Sequence, residues 1–231
     1  MRNIALKLFH SNLVLRDRYR TAAALRRSAD KRGLVKIAVI DDEPFKPQLG
    51  LERYGYNFTL LGDLRDVKQT QPYHMVLCDI IGVGKYFDQS RQGASIIAEI
   101  KNNYPEKIVV AYTGNATSDP SIRMAAERAD EIINKDVDNE EWIERLDNLS
   151  ALATDPYLVW SRVRSRLVAL EVDSKDILFL EDGYVRSVLA GDQGVTELKR
   201  ATDNNWIRDD AKAIVLNLIS SGLFAAFGGA N

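Results

Sequence analysis

One cysteine and two histidines in 231 residues leave little room for the commoner metal and redox chemistries. Cys78 alone cannot build an internal disulfide framework, which fits a reducing compartment. His10 and His74, with that single thiol, cannot assemble a zinc site of the usual ligand count. A large net charge is missing too: 31 Lys/Arg stand against 33 Asp/Glu, so the chain as a whole carries no signal for nucleic acid. The apolar residues near the start are interrupted by Lys7, His10 and Arg16, which argues against a secretory signal and for a cytoplasmic protein. Hydrophobic residues at 45% and charged residues at 28% are ordinary for a soluble globular chain.

The charge that is present is unevenly placed. Residues 1–36 hold ten Lys/Arg against Asp17 and Asp30, whereas residues 37–153 are acidic on balance. Three stretches follow from pattern: 1–33, 34–153 and 154–231. The first reads as a basic helix, with Ile4, Leu8, Leu15, Tyr19 and Ala22 at helical spacing and Gly33 as a stop signal. Docking on the acidic part of its own protein is the expectation for it; an anionic surface or nucleic acid are the alternatives.

In the second stretch, short apolar runs alternate with amphipathic segments of helix length. Val35–Ile40, Phe58–Leu61, Met75–Cys78, Ile108–Tyr112 and Glu131–Ile133 read as strands. Pro44–Arg53, Asp63–Thr70, Gly93–Asn103, Asp119–Arg128 and Asn139–Ala153 read as helices. This (βα)5 alternation predicts an α/β fold, a flavodoxin-like doubly wound parallel sheet of strand order 2-1-3-4-5. Ligands of such sheets bind beyond the carboxyl ends of the strands, where the strand order reverses.

Polar residues sit at those ends. Asp41 and Asp42 follow the first strand, Asp79 ends the third, Thr113 the fourth and Lys135 the fifth. Strands one and three are neighbours in the expected order, so three carboxylates crowd together. At ~4 Å each pair costs about 1 kcal/mol in water and roughly 4 at intermediate dielectric. Lys135 offsets part of this, and a hard divalent cation such as Mg2+, with oxygen ligands, would offset the rest. An ionised aspartate can attack phosphorus to give an acyl phosphate, and Asp79 is the central candidate. Thr113 and Lys135 would stabilise charge on the transferring oxygens.

These residues resemble the receiver domains of bacterial two-component response regulators. The matching pieces are Val39-Ile40-Asp41-Asp42-Glu43-Pro44, Val76-Leu77-Cys78-Asp79-Ile80, Ala111-Tyr112-Thr113-Gly114 and Asn134-Lys135-Asp136. The resemblance implies that Asp42 ligates Mg2+ directly and Asp41 largely through water. It implies that Asp79 is the phosphoacceptor and also binds the metal, with the backbone carbonyl of Ile81 as a further ligand. Thr113 would hydrogen-bond the phosphoryl group and Lys135 would pair with it. Three departures accompany the match: Ile132 stands where the family has an aromatic residue, Asp136 where it has a proline, and the loop Ile80–Asp88 is longer than usual.

The third stretch begins at Asp155-Pro156 and reads as helical, over Tyr157–Leu170, Ser174–Leu189, Val195–Thr202 and Trp206–Phe227. Trp142, Trp160 and Trp206 are expected in cores, and Cys78 as an inert core thiol. No helix-turn-helix pattern stands out, so DNA binding is disfavoured. The uncharged tail 213–230 is marginal as a membrane span, and a buried or dimer helix is preferred.

The expected protein is an atypical response regulator without turnover beyond slow self-dephosphorylation. Its partners would be a histidine kinase or phosphotransfer protein, a downstream protein target and, through the terminal helices, a second copy. A pseudo-receiver scaffold that is never phosphorylated and a membrane-associated effector using the apolar tail are the alternatives.

Overall fold

A computed structural model describes residues 32–114, 120–191 and 195–227. Apart from its last two positions, the expected helix over residues 1–33, with His10, lies outside the described residues. The described residues divide into two compact units, 32–153 and 154–227.

In the first unit five apolar runs become strands: β1 (Lys36–Ile40), β2 (Asn57–Leu60), β3 (Met75–Asp79), β4 (Ile108–Thr113) and β5 (Glu131–Asn134). They pair in parallel in the flavodoxin-like order β2-β1-β3-β4-β5. Helices α1 (Gln48–Glu52), α2 (Gly93–Asn103), α3 (Pro120–Ala126) and α4 (Asn139–Ala153) connect or follow them.

The central strands are apolar at nearly every position because both faces of the sheet are covered, and alternate residues serve opposite faces. On one face Ile37, Val39, Leu77 and Val110 pack with Leu51 of α1 and with Trp142 and Leu146 of α4. On the other, Ala38, Val76, Cys78 and Ala111 pack with Ile96, Ile97 and Ile100 of α2 and Ile122 of α3.

Two helices expected from sequence are cut short here. Pro44–Arg53 yields only the five residues of α1. Asp63–Thr70 yields a single 3-10 turn, Val67–Thr70. Asp66 is extended and spends its carboxylate on the Lys68 amide (2.8 Å), a local bond that starts a turn and competes with a helix running through it.

The second unit holds α5 (Pro156–Ala169), α6 (Ser174–Leu189), α7 (Thr196–Thr202), α8 (Asp209–Ser220) and α9 (Leu223–Phe227). Asp155 caps α5 through the amides of Tyr157 (2.9 Å) and Leu158 (3.1 Å), with Pro156 at the first turn where its missing N–H costs nothing. Trp160 stacks on Tyr184 at 4.9 Å, and the Tyr184 hydroxyl donates to the Pro156 carbonyl (2.7 Å).

The tail expected as one helix over 206–227 is broken. Gly222 takes φ +74°, and the Ser221 hydroxyl donates to the Leu218 carbonyl (2.7 Å) while accepting from the Leu223 amide (3.3 Å). Among the described residues no helix is long and apolar enough to cross a membrane. Trp206, expected in a core, is half exposed and lies against Phe179 at 4.9 Å.

The junction of β3 with α2 is a close backbone approach near the sheet's carboxyl edge. The Gly93 amide donates to the Ile80 carbonyl (3.1 Å). A Cβ on Gly93 would collide with the Asp79 carbonyl oxygen and sit 2.8 Å from Ile80 Cα. Gly93→Ala is expected to destabilise this unit by about 1–3 kcal/mol, since backbone on both sides must shift. Urea unfolding of the wild type and variant measures this, and an unchanged midpoint would contradict it.

Candidate functional site

A parallel sheet delivers all its strand ends to one edge, and the polar residues gather there. Asp41 follows β1 directly, Asp79 closes β3, Thr113 closes β4 and Lys135 follows β5. Because β1 and β3 are paired, with Ile40 opposite Cys78, the acidic groups of the two strands are adjacent. Oxygen atoms of Asp41, Asp42 and Asp79 lie within 4.8 Å of one another. A cavity of about 450 Å³ is lined by these three residues together with Ile81, Thr113 and Lys135. Every residue singled out from the sequence as a site candidate therefore meets in one place.

The Lys135 ammonium bridges the group. It donates to Asp79 Oδ2 at 2.6 Å and to Asp41 Oδ2 at 3.0 Å. Asp79 Oδ1 accepts from the amides of Ile80 (2.7 Å) and Ile81 (3.3 Å). Asp41 Oδ1 accepts from the Glu43 amide (2.9 Å), and its Oδ2 also accepts from the Tyr112 hydroxyl (2.6 Å). Asp42 is exposed, and no described residue donates to it. The Lys135 amide donates to the Thr113 carbonyl (3.1 Å), which joins the ends of β4 and β5, and Thr113 itself is buried.

Burial pushes the Asp79 carboxyl above the ordinary carboxylate range, and Asp41 adds to the effect; Lys135 and the Ile81 amide pull the other way without prevailing. For Lys135 burial works toward a lower value, yet the bonds to Asp79 and Asp41 outweigh it and hold the ammonium above its usual value. The two partners respond unequally because the Asp79 side chain is 8% exposed and that of Lys135 is 28%. Burial, then the bond to Asp41, raises the Tyr112 phenol far above its ordinary value, so it keeps its proton and acts as a donor.

The loop after β3 closes the wet side. Gly82 takes φ +102°, and a Cβ there would collide with the Asp42 carboxylate. The Gly82 amide donates to Gln92 Oε1 (2.9 Å) and the Gly84 amide to Asp63 Oδ1 (2.7 Å). Hard oxygen donors from two strands, one of them an undonated carboxylate, with backbone pressed close beside it, suit a small divalent cation such as Mg2+.

No protein-family model matches the chain, and no curated protein matches it. Solved structures do resemble it. A CheY-like response regulator receiver domain protein from Methanospirillum hungatei JF-1 is 17% identical over 52% of this chain and 95% of that one, with a TM-score of 0.42. The BeF3-activated N-terminal receiver domain of RstA from Klebsiella pneumoniae is 18% identical over 50% of this chain and 97% of that one, with a TM-score of 0.42. A two-component response regulator from Clostridium difficile is 20% identical over 50% and 94%, again with a TM-score of 0.42.

Sequence reasoning missed Tyr112, Gln92 and Asp63. Tyr112 has the one available signal, its place immediately before Thr113, and it was hidden inside an apolar strand. At the positions of departure, Ile132 packs partly buried among aliphatic residues on the α2 and α3 face, and the Asp136 amide donates to Asn134 Oδ1 (2.9 Å).

A carboxylate whose pKa rises on folding costs stability once ionised. The cost is absent below the ordinary carboxylate pKa of ~4 and complete above the raised value. Asp79→Asn removes it and is expected to raise the thermal midpoint at pH 7 in chelator. The gain should vanish near pH 3, where wild-type Asp79 is already protonated. Melting curves at both pH values check this, and a lower midpoint for the variant at pH 7 would show that the Lys135 contact dominates instead.

Proposed function

We propose that residues 34–153 act as a phosphoacceptor receiver domain, with Asp79 as the acceptor and the helical residues on either side as the output. The observation that carries this reading is the single ammonium of Lys135 held between Asp79 and Asp41, with Asp42 open beside them in the same cavity. That arrangement sets the Asp79 carboxyl beside a cation at the carboxyl edge of the sheet.

In the proposed step an Asp79 carboxylate oxygen attacks the phosphorus of a phosphohistidine on a histidine kinase or phosphotransfer protein. The P–O bond forms as the P–N bond breaks, the electron pair passes to the imidazole nitrogen, and that nitrogen takes up a proton. Asp42, Asp79 and the Ile81 carbonyl would hold Mg2+ directly and Asp41 through water. When bound, the ion supplies positive charge against the phosphoryl oxygens. Lys135 exchanges its bond to the Asp79 carboxylate for one to a phosphoryl oxygen, and the Thr113 hydroxyl donates to another. The domain is a signalling acceptor whose only turnover is slow loss of the phosphoryl group to water. Its product changes a contact with a downstream protein, or with a second copy of this chain, made by the flanking helices.

Incubation of the full chain with acetyl phosphate and MgCl2, followed by intact-mass analysis, tests the reading. The wild type is expected to gain one phosphoryl group that hydroxylamine removes, and Asp79→Asn or added chelator should abolish the gain. Undiminished labelling of the variant would take the acceptor role from Asp79, and no labelling of the wild type would leave the scaffold reading in its place.

A further inference from the structure

Two of the three carboxylates in the cavity are already served by protein donors, and they are served differently. Asp79 receives two backbone amides on one oxygen and, among the described residues, Lys135 on the other. Asp41 is more fully engaged: the Glu43 amide takes Oδ1, while the Tyr112 hydroxyl and Lys135 share Oδ2. Its side chain is 3% exposed. Asp42, with no donor among the described residues, is its opposite.

The Tyr112 hydroxyl is held in this position. Its ring meets Phe45 edge-on at 5.7 Å and Trp142 edge-on at 6.3 Å, and the Lys135 amino group stands 5.0 Å from the ring centroid. Phe45 and Trp142 pack edge-on against each other at 5.5 Å. These contacts pack the ring on the side from which its hydroxyl reaches Asp41.

We propose that Tyr112 is a positioning residue that keeps Asp41 a water-mediated rather than a direct ligand, and thereby biases the site toward Mg2+ over Ca2+. This rests on the reading of the three carboxylates as a divalent cation site. An oxygen that already accepts two hydrogen bonds, one of them short, is a poor direct ligand. Mg2+ loses little from this, because it keeps several waters and needs one or two carboxylates. Ca2+ takes six to eight oxygens and gains most when another carboxylate becomes available. Removing the hydroxyl while keeping the ring takes the shorter of the two hydrogen bonds off Asp41 Oδ2 and leaves Lys135 at 3.0 Å, so turning that oxygen toward the ion costs less.

Calorimetric titration of the full chain with MgCl2 and with CaCl2 tests this on wild type, Tyr112→Phe, Asp41→Asn and the double variant. Thermal melts run alongside verify that each is folded at the titration temperature. Tyr112→Phe is expected to tighten Ca2+ about tenfold, the scale of one hydrogen bond to a charged group. Mg2+ should tighten by less, so the preference narrows. On the Asp41→Asn background the same substitution should have no effect on either ion, because the coupling runs through that carboxylate. Unchanged or uniformly weakened affinities in Tyr112→Phe overturn the proposal, as does an effect that persists without Asp41. A wild type that binds neither ion removes the cation site itself, an outcome distinct from equal binding by wild type and variant.

Discussion

The ammonium of Lys135 is the constraint on which the rest of the site depends. Carboxylates from the ends of β1 and β3 are forced together by the pairing of those strands, and backbone amides reach one oxygen of each while the facing oxygens need a cation. At this spacing each ionised pair costs roughly 1–4 kcal/mol depending on how much water reaches it. Lys135 reaches both Asp41 and Asp79 from the end of β5, across the end of β4, at 3.0 and 2.6 Å. The parallel sheet is what makes this possible: an antiparallel sheet would send alternate strand ends to opposite edges, and the charge and its counter-charge would not meet.

Around that ion pair the pocket is built with a dry side and a wet side. Phe45, Tyr112 and Trp142 wall the Asp41 side with three mutual ring contacts, part of the core between the sheet and α4. The other side is bounded by exposed Asp42 and by the loop after Asp79, whose amides at Gly82 and Gly84 are held by the side chains of Gln92 and Asp63. Burial raises the Asp79 carboxyl from the dry side while a cation would enter from the wet one. The same residue is thus placed at the boundary where its charge is hardest to keep without a metal and easiest to keep with one.

Much of this was legible in the sequence because strand ends announce themselves. An apolar run that stops at Asp41, Asp79 or Thr113 marks both the strand and the edge at which its last side chain lies, and the alternation with helices sets the strand order. What escaped was contact between residues of the same apparent class. Tyr112 reads as one more apolar position in a buried strand, and period-two alternation sends its ring into the α4 face; only packing shows that its hydroxyl returns to Asp41. Gln92 and Asp63 act on backbone amides far along the chain, and no spacing signals that. Helix lengths failed where one residue decides them. Asp66 makes a local bond that favours a turn over the expected helix, and Gly222 with Ser221 ends a run whose composition alone reads as continuous.

The departures at Ile132 and Asp136 bear on how the pocket can respond. A side chain that signals must have somewhere to go. Ile132 is an aliphatic residue packed partly into the α2 and α3 face, with no polar group to offer the cavity. Tyr112, the aromatic that does reach the carboxylates, is fixed by two rings and cannot leave without breaking contacts worth about 0.5–1.5 kcal/mol each beyond the area they bury. Displacement is cheaper on the wet side. Lys135 is partly exposed, whereas the loop at Gly82 and Gly84 is tied by two side-chain bonds and anchored by the buried Val83. Under the proposed reading, charge added at Asp79 would act first on Lys135 and on the amides of Ile80 and Ile81, which bond its carboxylate. The physical asymmetry of the pocket therefore sets a packed aromatic wall against a partly exposed Lys135.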